Sequence, residues 1–128
     1  MSISRQNLSV VIVSFISEEV IHNCIKSIPK DIKIIVVDNS GNEKFKSSIE
    51  QKYNNIKCIL SSENLGMGAG NNLGLKYSST DYVLILNPDV ILENNTIDEL
   101  INASNKIESF GIIAPIVNSD KNINYKLF

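Results

Sequence analysis

The sequence predicts an α/β fold, a mostly parallel sheet with helices on both faces. Three observations predict it. Short β-branched runs recur without polar alternation, as strands buried on both faces require. Segments of helical periodicity separate them, giving the order β-α-β-α-β-α-β-α-β. Polar or glycine-rich turn chemistry follows the runs, and in such sheets ligands bind beyond the carboxyl ends of the strands.

Each element has its own signal. Residues 8–15 (LSVVIVSF) form the first strand. Ser17 offers an N-cap, with Glu18 and Glu19 in the first turn where the helix dipole favours them. Val20, Ile21, Cys24, Ile25 and Ile28 then recur at helical spacing, which leaves His22 on the solvent side, and Pro29 stops the helix. Residues 32–37 (IKIIVV) form the second strand, and Asp38-Asn39-Ser40-Gly41-Asn42 is a turn. A weaker helix over 43–53 is held by Phe45, Ile49 and Tyr53, and residues 56–60 form the third strand. The glycine- and asparagine-rich stretch 61–74 runs into a helix ending near Tyr77 and Ser78. Residues 82–86 (YVLIL) form the fourth strand, which Pro88 ends because it cannot continue the ladder. Thr96-Ile97-Asp98-Glu99 reads as a capping box opening a helix to about Ser109. Residues 111–117 are expected to form a fifth strand, 118–122 a turn, and 123–128 the start of a returning strand that would be a docking edge.

Composition narrows the function. The 128 residues correspond to one domain. Twelve Lys and Arg against 14 Asp and Glu give a net charge of −2, and a pI near 5.3 argues against a charge-driven nucleic-acid surface. No apolar run is long enough to span a membrane, and the polar N-terminus does not lead into a cleavable signal, so a cytoplasmic location is expected. Cys24 and Cys58 lack metal or disulfide spacing and read as buried, inert thiols. Three glycosylation sequons read as chance in an Asn-rich chain, and no GxxxxGK[ST] occurs, which excludes a P-loop NTPase.

The informative residues stand just after the strands. Ser14-Phe15-Ile16-Ser17 follows the first, Asp38-Asn39-Ser40-Gly41 the second, residues 63–72 the third and Asn87-Pro88-Asp89 the fourth. Two carboxylates thus share one rim with a glycine-rich loop. Asp38 at a strand end either accepts hydrogen bonds from a base or ribose, or caps its own turn. Asp89 either binds a divalent cation, for which carboxylate oxygen suits Mg²⁺ or Mn²⁺, or shapes a turn after Asn-Pro. The glycine loop permits close backbone approach and opens a helix whose N-terminus favours an anion. It departs from GxGxxG, having Asn71 in place of the last glycine, and it follows the third strand where that fingerprint follows the first. A receiver-like signalling domain would need an acidic cluster after the first strand, and Ser14-Phe15-Ile16 supplies none.

Together these segments resemble the N-terminal half of a family 2 glycosyltransferase of the GT-A, Rossmann-like fold, closest to its rhamnosyltransferase-like branch. The family opens with VVIVTYN-S-EE, here Val10 to Glu19 (VVIVSFISEE), then has IIVVDN-S, here Ile34 to Ser40 (IIVVDNS). ENxGFAxGNNxGL corresponds to Glu63 through Leu75, and DYxLxLNPD to Asp81 through Asp89. The resemblance covers about residues 8–126. It implies transfer of a sugar from a nucleotide-diphosphate sugar donor to an acceptor hydroxyl with inversion, with Mg²⁺ or Mn²⁺, in polysaccharide biosynthesis. The acceptor class it implies is a saccharide or a lipid-linked acceptor.

By that resemblance Ser14 and Phe15 lie against the base and Asp38 reads the base or ribose. Asn64, Gly66, Gly70 and Asn71 line the ribose and diphosphate, Asn87 stands at the first position of the family's DxD, and Asp89 is the metal ligand. Phe15 replaces the usual Tyr, Ile16 the usual Asn and Asn87 the first Asp. Family catalytic domains are longer, and their second half carries the general base and the acceptor pocket. Residues 1–128 are therefore read as a single nucleotide-sugar-binding part, without the acceptor half, and no catalytic base is assigned. The alternative is a non-catalytic nucleotide or nucleotide-sugar binding module, a truncated glycosyltransferase that needs a partner chain or self-association for activity.

Overall fold

The computed structural model describes residues 2–115. Among them β1 (Leu8–Ser14), β2 (Lys33–Asp38), β3 (Ile56–Leu60) and β4 (Tyr82–Leu86) form one all-parallel sheet in the order β3-β2-β1-β4. The helices are α1 (Glu18–Lys26), α2 (Glu43–Lys52), α3 (Gly66–Tyr77) and α4 (Thr96–Ser104), and a short 3-10 turn, Arg5–Asn7, precedes β1. From β1 to β3 the chain steps in one direction across the sheet. The third connection must return over two strands to set β4 on the other side of β1. Because parallel crossovers are right-handed, that reversal puts α1 and α2 on one face and α3 on the opposite face.

The two faces are packed differently. On the first, Val10, Ile12, Ile34, Val36 and Cys58 meet Ile21, Cys24 and Ile25 of α1, Phe45 and Ile49 of α2 and Ile97 of α4. Each of these larger side chains contributes about 1.5–3 kcal/mol when fully buried. On the second, Val11, Ile35 and Val37 are covered by α3, with Val13, Ile59, Leu73 and Val83 half-buried around them. Here α3 approaches closely through Gly70 and Gly74, which are four residues apart and therefore share one side of the helix.

Several local expectations are corrected. Val20 is exposed, and the buried face of α1 is carried by Ile21, Cys24 and Ile25. His22 is half-buried, with Nδ1 2.9 Å from the Tyr53 hydroxyl just past α2. Burial, with Lys52 and Lys26 nearby, pushes its pKa below the ordinary value. The capping box at Thr96 does not form: Asn95 is the N-cap, without a side-chain bond. Asn42 instead caps α2, accepting from the Lys44 and Phe45 N–H groups. α4 ends at Ser104 because Asn105 is pinned to the N-terminal segment, exchanging hydrogen bonds of 2.7 and 2.9 Å with the Ile3 backbone. Residues 111–115 form no strand; Ile112 is 93% exposed, and Pro115 has no N–H for a ladder. The remainder of that expected strand, the 118–122 turn and the 123–128 docking edge lie outside the described residues.

Candidate functional site at the carboxyl rim

Parallel register gathers the rim. Ser14 lies opposite Asp38, and Asp38 opposite Leu60, so β1, β2 and β3 end level. Ile12 lies opposite Leu86, which lets Asn87-Pro88-Asp89 leave the sheet alongside Val13 and Ser14. The reversal of strand order falls between β1 and β4, where open α/β sheets form their ligand crevice.

The sequence-nominated residues divide by exposure. Phe15 is 49% exposed, and Asn64, Gly66, Asn87 and Asp89 are exposed too. Ser14 and Asp38 are buried, and Asn71 is half-buried. The Asp38 carboxylate is engaged by its own turn, accepting from the Ser40 N–H and hydroxyl and from the Asn42 N–H. Gly70 faces the sheet: a Cβ there would lie 2.9 Å from Val13 Cγ1, so its lack of a side chain serves the approach of α3 to β1. Gly66 has φ +73°, the left-handed region that glycine tolerates, and its N–H donates to Asn64 Oδ1 at 3.0 Å. Two buried side-chain polar atoms among the described residues have no hydrogen-bond partner, Ser14 Oγ and Asn71 Oδ1. Both residues were singled out from sequence as ligand-facing. An unsatisfied buried polar atom costs about 1–3 kcal/mol, a cost that a bound polar ligand or a water would relieve.

Backbone strain marks the mouth of β1. Ile16 has φ +52° and is 76% exposed. A β-branched residue in that region is strained by about 1–2 kcal/mol, whereas Asn, the usual residue of the resembled pattern, tolerates it. Ile16→Asn is therefore expected to stabilise the chain by about 1 kcal/mol in urea unfolding. An unchanged or lower midpoint would remove the claim of strain.

Residues not nominated from sequence support the rim from beneath. Cys24 on α1 lies under the Asn87 carbonyl, with its thiol donating across 3.5 Å. Burial, with the Asp89 charge adding to it, pushes that thiol up to about 11, and it is buried and free, as expected. Ser27 Oγ, just past α1, accepts the Leu92 N–H at 3.0 Å. Together they hold both ends of the loop carrying Asp89. Asn39, buried at the end of β2, reaches the start of α3. No spacing signals these ties, since each joins segments far apart in sequence.

Asp89 is not part of a ready-made metal cage: no cluster of three His, Cys, Asp or Glu side chains suited to a metal occurs among the described residues. One exposed carboxylate does fit a cation that takes one or two protein carboxylates and completes its shell with substrate phosphates and water.

The parallel α/β sheet, with its polar groups at the carboxyl rim beside the switch point, has the fold of solved GT-A structures. S. aureus TarS 1–349, crystallised with UDP, superposes with a TM-score of 0.67 at 20% identity, covering 84% of this chain and 38% of that one. The mannosyltransferase PcManGT from Pyrobaculum calidifontis, in complex with GDP-Man and Mn²⁺, gives 0.67 at 17% identity, covering 83% and 33%. Residues 9–126 match the sequence profile of Glycosyl transferase family 2. The chain belongs to that family. The low-salt glycan biosynthesis hexosyltransferase Agl10 of Haloferax volcanii is 34% identical over 113 residues, which are 85% of this chain and 36% of that protein. An uncharacterised glycosyltransferase of Rickettsia prowazekii is 33% identical over 95 residues, 74% of this chain and 30% of that protein. The chain thus spans about a third of the length of these curated relatives.

Proposed function

We propose that residues 1–128 are the nucleotide-sugar-binding part of a glycosyltransferase that moves a sugar from a nucleotide-diphosphate donor to an acceptor hydroxyl with inversion. The observation that carries this reading is the pair of partnerless buried atoms, Ser14 Oγ and Asn71 Oδ1, in a family 2 chain with its rim at the switch point. Phe15 presents an exposed ring for stacking on the base. Ser14 and Asn71 supply polar groups to the nucleoside, as do Asn64 and the Gly66 loop. Asp38 acts at the same rim, and Gly70 acts by letting α3 sit close to β1. Asn87 and Asp89 face the diphosphate, and Asp89 holds Mg²⁺ or Mn²⁺. When bound, that cation stabilises the charge developing on the leaving diphosphate. The rhamnosyltransferase-like branch, a cytoplasmic location and a saccharide or lipid-linked acceptor in polysaccharide biosynthesis complete the reading. No helix among the described residues is long and apolar enough to cross a membrane.

A second reading, binding without turnover, has its own support. Among the described acids after Asp89, Glu93, Glu99 and Glu108 are exposed, and Asp98 is held by Arg5 at 2.6 and 2.9 Å. The hydrogen bond from Arg5 keeps the Asp98 carboxyl below its ordinary value, opposite to what a general base near neutral pH requires. A base, and with it turnover, would then come from a partner chain or further polypeptide.

Calorimetric titration with UDP and GDP, with and without Mn²⁺, tests the shared part. We expect Mn²⁺-dependent binding that Asp89→Ala weakens at least about tenfold, or about 1.4 kcal/mol, with little change when Mn²⁺ is withheld. Equal binding by the variant in Mn²⁺ would refute the metal assignment. Hydrolysis of a nucleotide sugar by this chain separates the two readings: turnover supports the first, and binding without turnover supports the second.

A further inference from the structure

Asn39 is a buried polar residue that the nucleotide assignments leave unused. Three of its polar groups reach three segments. Its backbone N–H donates to the Ser14 carbonyl at 2.8 Å. Its Nδ2 donates to the Gly66 carbonyl at 3.1 Å. Its Oδ1 lies 3.2 Å from the Ser61 hydroxyl, whose single proton is shared with the Glu63 carbonyl. The amide orientation follows from chemistry, because a carbonyl only accepts and the Gly66 oxygen therefore requires the NH₂ end.

The bond to Gly66 matters because of where that oxygen sits. A trans peptide is planar, so the Gly66 C=O and the Met67 N–H point in opposite directions. Holding the carbonyl toward Asn39 turns the Met67 N–H away from it. Gly66, at φ +73°, lacks the Cβ that would otherwise limit this peptide to one orientation. The Met67 N–H also belongs to the first turn of α3, whose donors have no helix carbonyl to bond. The Ser14 carbonyl that takes the Asn39 N–H belongs to the residue whose buried Oγ lacks a partner. One residue thus joins the β1 end, through its backbone N–H, to the glycine loop, through its side chain.

We propose that Asn39 is a positioning residue: it sets the Gly66–Met67 peptide so that the first-turn N–H groups of α3 face a bound nucleoside diphosphate. The assignment rests on the nucleotide-binding reading above. Asn39 itself does not touch the ligand.

The test uses this chain with UDP or GDP plus Mn²⁺, and three variants. Asn39→Ala removes both side-chain bonds. Ser61→Ala keeps the Gly66 bond, removes the hydroxyl at Oδ1 together with its contact to the Glu63 carbonyl, and covers the case in which Asn39→Ala does not fold. Glu50→Gln is the control: it weakens the tie between α2 and β3, where Glu50 accepts from the Cys58 N–H and Lys46, away from the rim. Hydrogen exchange is followed at the amides of residues 70–72, whose helix bonds run back to the first turn of α3. Asn39→Ala is expected to speed exchange there and weaken nucleotide binding, each about tenfold, with Ser61→Ala moving both in the same direction by less. Glu50→Gln is expected to lower the melting temperature while moving neither. A general loss of stability would make the control behave like the Asn39 variant, and that result overturns the proposal. So does nucleotide binding by Asn39→Ala as tight as that of the unmodified chain. If the unmodified chain binds neither nucleotide, the functional reading fails and the role proposed for Asn39 fails with it, even where exchange still reveals the clamp.

Discussion

Gly74→Ala is expected to destabilise the chain by about 2 kcal/mol in urea unfolding, although alanine is the better helix former. A Cβ on Gly74 would lie 2.4 Å from Val11 Cγ1 and 3.2 Å from Val37 Cγ2. Val11 and Val37 are fully buried, and both are branched at Cβ on central strands, so neither can swing away. Overpacking of this kind costs about 1–3 kcal/mol, against a propensity gain of at most about 1 kcal/mol. Contact this close places the cost at the upper end of its range, so the clash wins. Gly68, on the same helix, reverses the sign: a Cβ there meets nothing within 4 Å. Gly68→Ala should be neutral or stabilising by up to about 0.5 kcal/mol. Trimming the obstacle tests the mechanism directly, because Val11→Ala with Gly74→Ala should cost less than the two single changes added together. If Gly74→Ala unfolds at the same urea concentration as the parent chain, close packing is not why glycine stands there.

That contrast also shows what the sequence made legible. β-branched runs located all four strands of the described residues, and the residues after them marked the rim, because a parallel sheet buried on both faces leaves only strand ends for chemistry. The glycine-rich stretch was visible as one motif, but its glycines serve different ends. Gly66 provides a positive φ, while Gly70 and Gly74 admit β1 and β2 to the helix surface. Their i, i+4 spacing was a signal for the second role. Local cap signals were weaker guides: Thr96 gave way to Asn95, and Asn42 capped where a turn was expected. The end of α4 is set by Asn105 gripping Ile3, a contact across 102 residues, so no window of local sequence encodes it. Asn39 was hidden for the same reason. It stands inside a recognised turn motif, and its partners come from β1, from the end of β3 and from α3.

Asp38→Asn is expected to cost about 2–3 kcal/mol of stability, an effect that decides between the two sequence readings of Asp38. Both carboxylate oxygens accept: Oδ1 from the Ser40 N–H at 3.3 Å and the Ser40 hydroxyl at 2.8 Å, and Oδ2 from the same hydroxyl at 2.9 Å and the Asn42 N–H at 2.9 Å. An asparagine has one acceptor and one donor end, so whichever way its amide turns, one backbone N–H meets an NH₂ group. Leaving that donor unsatisfied costs about 1–3 kcal/mol, and the surviving bond loses its charge-assisted strength. The disturbance spreads, because the Asn42 held by Asp38 is itself the cap of α2 and accepts from the Lys44 and Phe45 N–H groups. Phe45 is 6% exposed in the main core, so a frayed first turn of α2 reaches the packing of the sheet. Ser40→Ala, which removes only the hydroxyl, should cost about 1 kcal/mol. Urea unfolding and UDP or GDP titration of both variants separate the alternatives. A turn-building Asp38 lowers the unfolding midpoint in Asp38→Asn with or without nucleotide present. An Asp38 that acts through the ligand alone leaves the midpoint of the free chain unchanged and weakens only binding, and that outcome would overturn the turn-building role.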